Sequence, residues 1–394
     1  MLSLAHEQAN VDEIQGADMT TAKDIAARLN LSVSTVGRAL SDDERISAET
    51  KFRVNQVAQE LGYVANRAAR MMRGAPSTVI GLAVPDVRNS FYSTVAHALT
   101  ESMGRRGRQV MLCETGDDRQ SELRQIRDLA AAQVAGIIIV PTPKPHPDVV
   151  RLLQSIPHVQ LLRKAGSLAP CWFGIDDHAV IQMATEHLLR LGHRRLGYIG
   201  GTVELSTGAA RLAGFQAAIA DAGLPPTAGV VECGPPSSAE HGAAALRALL
   251  NRDDPPTGIV TGAVQVTHGL LEAAHRDRIA VPRRISVVGF GDELGFAWWG
   301  PGLTTISLPM HDLATACGMW LLHRLETSPD SDTPHYSISP GTLVLRGSTA
   351  APPAREPRAP KGASRRRPGA PAQASTAQPP MSLPAPPPAA PQES

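Results

Sequence analysis

The sequence predicts two folded parts of different class, a small all-α head and an α/β body of two doubly wound parallel-sheet subdomains, followed by a C-terminal tail that stays disordered. Three observations carry this. Between residues 19 and 62 apolar side chains recur at helical spacing in three short blocks separated by polar turns. From residue 79 to 345, apolar runs of four to six residues alternate with helical stretches, in two consecutive sets too numerous for one sheet. Thirteen prolines fall in the last 45 residues, without apolar periodicity.

The head begins at Thr21, a hydroxyl residue able to cap a helix that carries Ile25, Ala26 and Leu29 on one face. Asn30, Leu31 and Ser32 break that pattern, and Ser32 caps a second helix, Val33 to Leu40. Val36 and Leu40 of this helix face the first, leaving Val33, Ser34, Thr35 and Arg38 outward. Short polar groups followed by an arginine one turn later suit a helix that enters a DNA major groove; a plain helical hairpin is the competing reading. Ser47 caps a third helix with Val54, Val57, Ala58 and Leu61 inward, and Gly62 stands where a left-handed C-terminal residue belongs.

The triplet Ser34-Thr35-Val36 with Arg38, then RISAETK (45–51), ELGY (60–63) and NRAAR (66–70), together resemble the LacI/GalR family of bacterial transcription regulators. The resemblance implies a helix-turn-helix DNA-binding domain over 19–64, a hinge helix and linker over 65–76, and a periplasmic-binding-protein-like core over 77–349 that dimerises and binds an effector between its subdomains. It places Thr21, Ser32, Val33, Ser34, Thr35, Arg38, Asn66 and Ala69 on the DNA, with Met72 as an apolar wedge in the minor groove. Met71-Met72 as ordinary packing is the alternative. Two positions depart from the pattern: Gly37 replaces the usual Ser, and Ala65 the usual hinge Pro.

In the body the expected strands are 79–85, 110–113, 136–140, 159–162, 196–199, 258–261, 286–290 and 342–345, with 303–306 as a cross-over segment. The resemblance assigns Phe91, within Asn89-Ser90-Phe91-Tyr92, and Arg211, within the R-x-x-G-F motif Arg211 to Phe215, to the effector. Arg163 and Trp299 fall at pocket-wall positions. Trp172, Trp298 and Trp299 offer aromatic platforms, with core packing as the competing reading. The family's G-F-D-D reads Gly289-Phe290-Gly291-Asp292, and its Asn-Asp pair reads Ala263-Val264. Gln265, Thr267, His268 and Asp292 are the candidate substitutes for the two lost polar contacts.

Composition fits this division. Residues 19–74 hold nine Lys/Arg against six Asp/Glu, whereas 75–349 hold 23 against 25, inside a chain whose net charge is only +1. A basic head on a slightly acidic body suits nucleic acid at one end and a small molecule at the other. Cys113, Cys171, Cys233 and Cys317 make no CxxC pair and read as reduced, mostly buried thiols of a cytoplasmic protein. Residues 1–18 contain no Lys or Arg and read as a flexible extension; no apolar run is long enough for a membrane span. The tail, 350–394, carries Arg365-Arg366-Arg367 but no leucine heptad of the kind that builds tetramers in the family, so a homodimer is expected.

Enzymatic readings find little support. Gly200-Gly201-Thr202 is the nearest approach to a phosphate loop, but neither GxGxxG nor GxxxxGK[ST] occurs, and no nucleophile elbow is present. No catalytic residue, metal-ligand set or cofactor is expected. A freestanding solute-binding protein would leave residues 19–74 without a role. The expectation is a dimeric regulator, a repressor of palindromic operator DNA, controlled by a small polar, sugar-like effector.

Overall fold

The computed structural model describes residues 20–63, 77–327 and 334–353. The head contains α1 (Ala22–Leu29), α2 (Val33–Ala39) and α3 (Ala48–Glu60). Each starts where a side chain satisfies orphan amide or hydroxyl groups: the Asp24 carboxylate accepts from the Thr21 amide (2.7 Å) and hydroxyl (2.8 Å), Ser32 Oγ accepts from the Thr35 amide (3.1 Å), and Ser47 Oγ from the Thr50 amide (3.3 Å). Asn30 closes α1 in the left-handed region at φ 54°, and Gly62 follows α3 at φ 61°. The amide of Tyr63 then reaches back to the Ala58 carbonyl (2.8 Å), ending the helix in the manner left-handed glycines allow. Ile25, Val36 and Val54 are fully buried where the three helices meet, with Ala26, Ala39 and Ala58 around them. Each of the three larger side chains contributes about 1.5–3 kcal/mol by burial, so a unit this small depends on all of them.

The core has two six-stranded sheets. The first contains β1 (Val79–Val84), β2 (Gln109–Glu114), β3 (Gly136–Ile139), β4 (His158–Leu161), β5 (Cys171–Ile175) and β11 (His335–Ser339), in the order β11-β5-β4-β3-β1-β2 with every pair parallel. The second contains β6 (Leu196–Gly201), β7 (Gly229–Gly234), β8 (Gly258–Thr261), β9 (Ser286–Phe290), β10 (Thr304–Ser307) and β12 (Thr342–Val344), in the order β12-β10-β9-β8-β6-β7, with only β12 antiparallel. Helices α4 (Ser90–Gly104), α5 (Arg119–Ala131), α6 (Pro147–Gln154) and α12 (Met310–Glu326) cover the first sheet. Helices α7 (Asp177–Arg190), α8 (Ser206–Asp221), α9 (Ala239–Leu250), α10 (Val264–Arg276) and the short α11 (Leu294–Trp298) belong to the second. The chain passes between subdomains three times: after β5, between β10 and α12, and between β11 and β12.

Several expectations change. Residues 303–306 were expected to be the cross-over, but Thr304–Ser307 is the fifth strand of the second sheet and the crossing follows it. Its buried threonines are satisfied within the subdomain, the Thr304 amide donating to Ser348 Oγ (2.8 Å) and Thr305 Oγ1 to Asp292 (2.7 Å). The tail was expected to begin at Ala350, yet the packed chain runs to Pro353. The Ala350 amide donates to Ser286 Oγ (3.0 Å) and its carbonyl lies 2.9 Å from His193 Nε2. Of the four free cysteines, Cys171 and Cys317 are buried, Cys113 is half-buried and Cys233 is exposed. No helix among the described residues is long and apolar enough to cross a membrane. The N-terminal extension, the hinge with Asn66, Ala69 and Met72, and the tail beyond Pro353 lie outside the described residues.

Candidate functional site

Two sites emerge, one on the head and one between the core sheets. On the head, Thr21, Ser32, Val33, Ser34 and Arg38 are exposed and Thr35 is half-buried, while Val36, Gly37 and Ala39 face inward. The Ser32 hydroxyl lies 2.9 Å from that of Ser34 and 2.8 Å from that of Thr35, so these three groups are tied to one another at the start of α2. Arg38 is the exception. The alternative, that it holds Asp42 or Asp43, is excluded because Lys51 pairs with Asp42 (2.7 Å) and Arg45 grips Asp43 through its side chain and amide. Bonds from Arg45 hold the Asp43 carboxyl well below the usual carboxylate range. Arg38 forms no salt bridge among the described residues and stands outward beside Ser34 and Thr35, free to reach a base edge or a phosphate. Gly37 is buried on the opposite side, its carbonyl accepting the Ser41 hydroxyl (2.8 Å).

Between the sheets lies a narrow cleft of about 50 Å³. It forms where the C-terminal ends of the parallel strands of both subdomains meet, the usual ligand position in such sheets. Arg211 of α8 lies at its centre. Its Nε and Nη2 both lie 2.7 Å from Asp177 Oδ1, its Nη1 donates to the Gly262 carbonyl (2.8 Å), and its guanidinium rests 4.1 Å above the Phe290 ring. Asp177 is 6% exposed; burial pushes its carboxyl up, against the pull of Arg211. Three residues on, Gly214 permits the close approach of α8 to α7, since a β-carbon there would stand 2.2 Å from the His178 carbonyl oxygen.

The first subdomain contributes Arg163, which the Asp117 carboxylate holds from both ends. Burial works against the Arg163 cation, but Tyr92 and Asp117 beside it outweigh that and its pKa rises. Arg163 reaches the cleft from a tight bend: Leu162 adopts φ 61°, a conformation costly for a branched side chain, and the Arg163 amide donates to the Leu161 carbonyl two residues back (2.7 Å). Phe91 crosses from the first subdomain to lie 5.8 Å from Phe290, over Gly291.

Phe91, Arg163 and Arg211 therefore line one cleft. Asp292, Gln265 and Trp299 do not. Asp292 is bound by Arg346 (2.7 and 3.1 Å) and Thr305, clamping the segment after β12; burial pushes its carboxyl up, but these bonds win and lower it. Gln265 is half-buried outside the lining, because the first turn of α10 presents Ala263 and Val264 instead. Trp299 packs on the far-side cluster of the second subdomain. Nor is there a tryptophan platform: Trp172 is buried in β5 with its Nε1 on the Leu162 carbonyl (3.1 Å), and Trp298 is 74% exposed. Thr267 is spent on Thr261 and the Phe290 amide, and His268 on Glu293. Sequence reasoning missed Asp117 and Asp177. Both stand in Asp-Asp pairs just after a strand, a position that points toward a cleft in a doubly wound sheet.

A head with an outward polar helix and a two-subdomain cleft describe a ligand-linked DNA-binding protein. Residues 21–66 match the family model for bacterial regulatory proteins of the lacI family, and residues 185–349 that for the periplasmic binding protein-like domain. The chain is 30% identical over 332 residues to the ribose operon repressor of Halalkalibacterium halodurans, covering 84% of this chain and 97% of that one. It is 28% identical over 335 residues to the HTH-type transcriptional regulator GalR of Salmonella typhimurium, with 85% and 97% covered. The Lac repressor dimer bound to operator and an anti-inducer superposes with a TM-score of 0.74 at 24% identity, over 85% of this chain and 100% of that one. The chain belongs to the LacI family of bacterial DNA-binding transcriptional regulators.

Proposed function

We propose that this protein is a cytoplasmic repressor that binds a palindromic operator as a homodimer and whose grip on DNA is set by a small polar effector in the core cleft. The observation that carries the reading is the pairing, in one chain, of an exposed Arg38 with no salt-bridge partner among the described residues, on a capped helix, with a cleft lined by the buried Arg211. Three chain crossings join the subdomains, so closure around a ligand turns one against the other about a defined hinge. A ligand shifts that equilibrium only by preferring one arrangement, and the same preference appears as altered DNA affinity. Homodimerisation is supported by the likeness to the Lac repressor dimer, and a sugar-like effector by the likeness to the ribose operon repressor.

The head contacts of the proposal are Thr21, Ser32, Val33, Ser34, Thr35 and Arg38, with Asn66, Ala69 and Met72 from the hinge; the cleft contacts are Phe91, Arg163 and Arg211. Selection of the full chain against randomised duplex DNA at low salt tests the reading. Enriched sites should be two-fold symmetric, with affinity falling steeply as salt rises because phosphate contacts release counterions. Absence of any enriched duplex overturns it.

A further inference from the structure

Resting on that reading of the cleft, we infer that the effector carries an oxyanion, a phosphate or carboxylate, held at the N-termini of α8 and α10. Five core helices open with a side-chain cap, from Asn89, Asp118, His146, Asp176 and Ser238. Helices α8 and α10 open at Leu205 and Ala263, which offer none, and neither has an acidic residue in its first turn. The amides of Ser206, Thr207 and Gly208, and those of Val264, Gln265 and Val266, make no hydrogen bond among the described residues. Leu205, Thr207 and Gly208 on one side and Ala263 and Val264 on the other line the same cleft. The two other uncapped starts differ: α12 carries Asp312 in its first turn, and α11 is five residues long. Two bare, positive helix ends of 16 and 13 residues thus open onto one space.

An independent observation points to the same place. Tyr198 is fully buried, stacked 5.3 Å from Phe215, and its hydroxyl has no partner among the described residues. That oxygen lies where β-carbons on Gly200 and Gly262 would stand, 2.4 and 2.3 Å away, so the two glycines make room for it. Gly262 directly precedes the bare start of α10, and its carbonyl receives Arg211 Nη1. The Tyr198 hydroxyl, buried behind the lining beside the residue that precedes α10, the amides of two helices and the Arg211 guanidinium therefore stand near one end of the cleft, and each can donate.

Two places around this end offer no acceptor side chain: position 291 is Gly, and α10 opens on Ala263-Val264. The carboxylates nearby are paired, Asp86 with Arg88, Asp117 with Arg163, Asp177 with Arg211 and Asp292 with Arg346. A phosphate or carboxylate can take several of these donors at once and also carries the charge that helix N-termini favour, whereas a neutral hydroxyl offers a single acceptor oxygen and no charge. The ligand that fits is a phosphorylated or acidic sugar rather than its neutral parent.

Calorimetric titration of the full chain with matched pairs tests this: D-ribose against D-ribose 5-phosphate, D-glucose against D-glucose 6-phosphate and D-gluconate, and inorganic phosphate alone. We expect at least one charged sugar to bind ten-fold or more tightly than its parent and than inorganic phosphate. Two variants separate anion binding from folding. Tyr198→Phe should weaken the charged sugar several-fold and leave its parent unchanged. Ala263→Asp, which places a carboxylate against the bare α10 amides, should abolish the preference, with circular dichroism checking that the chain stays folded because Ala263 is buried in an apolar cluster. Neutral parents binding as tightly as their charged partners overturns the oxyanion and leaves the sugar-like effector standing. Binding of inorganic phosphate as tight as that of any sugar phosphate overturns the sugar as its carrier. No binding by any member overturns the effector reading itself, and the inference with it.

Discussion

Replacing Arg211 with Met removes the cation from a pair in which the Arg side chain is 12% and its Asp177 partner 6% exposed. Met preserves most of the aliphatic stem, so the loss is chiefly electrostatic. Four contacts disappear: both to Asp177, the bond to Gly262 and the contact with the Phe290 face. The Asp177 carboxylate is left desolvated and unpaired, a situation that costs about 3–5 kcal/mol. For subdomains of this size, each 1 kcal/mol moves the melting temperature by roughly 2–4 °C. The single variant should therefore melt roughly 6–20 °C lower and unfold at a reduced urea midpoint. Asp177→Asn in the same chain removes the stranded charge and should restore well over half of the loss. Because burial raises the Asp177 carboxyl, its charge costs stability in full above the folded-state value, and that cost fades as pH falls from there toward the ordinary unfolded-state value. The single variant should thus gain on the unmodified protein as pH drops toward 4. A loss below about 1 kcal/mol, or a double variant no more stable than the single one, would refute the pairing.

Further outcomes follow from the same structure. Arg38→Ala should lose about 1–3 kcal/mol of operator binding, and Arg38→Lys should relax discrimination at one base pair per half-site, both read by titration against single-base operator variants. Gly62→Ala forces a β-carbon into the left-handed region and should destabilise the isolated unfolding step of the head by about 1–2 kcal/mol, measured by hydrogen exchange of α3 amides. His193 is buried among Thr257, Ser286 and Ala350, and burial lowers its pKa. A depressed histidine lets the unfolded chain take up the proton first, so stability present above about pH 6.5 should fall as pH drops toward the folded value. His193→Gln should flatten that slope in urea unfolding between pH 8 and 5.5.

Most of the fold could be read from the chain because buried parallel strands are written as apolar runs and the head helices carry their own caps. One strand that escaped notice, β5 (Cys171–Ile175), is itself an apolar and fully buried run, and the others are written in a different hand. β11 reads His335-Tyr336-Ser337-Ile338-Ser339, with Tyr336 and Ile338 more than half exposed, because an edge strand needs only one covered face. β7 is half-exposed for the same reason. β10 is polar at Thr304 and Thr305 since their hydroxyls find partners inside the subdomain. In the cleft, Arg211 and Phe91 were legible because a whole motif surrounds them. The clamp on Asp292 was not legible because only the folded chain brings Arg346, 54 positions away, onto it. The packing of Trp299 on the second subdomain was not legible because scarcity of a residue type says nothing about which way its backbone turns it. The bare starts of α8 and α10 were visible as Leu205 and Ala263, but that both open on one cleft depends on how the second sheet is wound.

The account stands or falls on coupling between the cleft and the head. The direct measurement is operator affinity of the full chain at fixed salt, with and without a ligand that stabilises the core, together with the ligand affinity with and without operator. The account predicts a change of roughly 5- to 150-fold in operator affinity, an equal factor in ligand affinity, and loss of both in Arg211→Met. Operator affinity that stays the same at saturating ligand would contradict it.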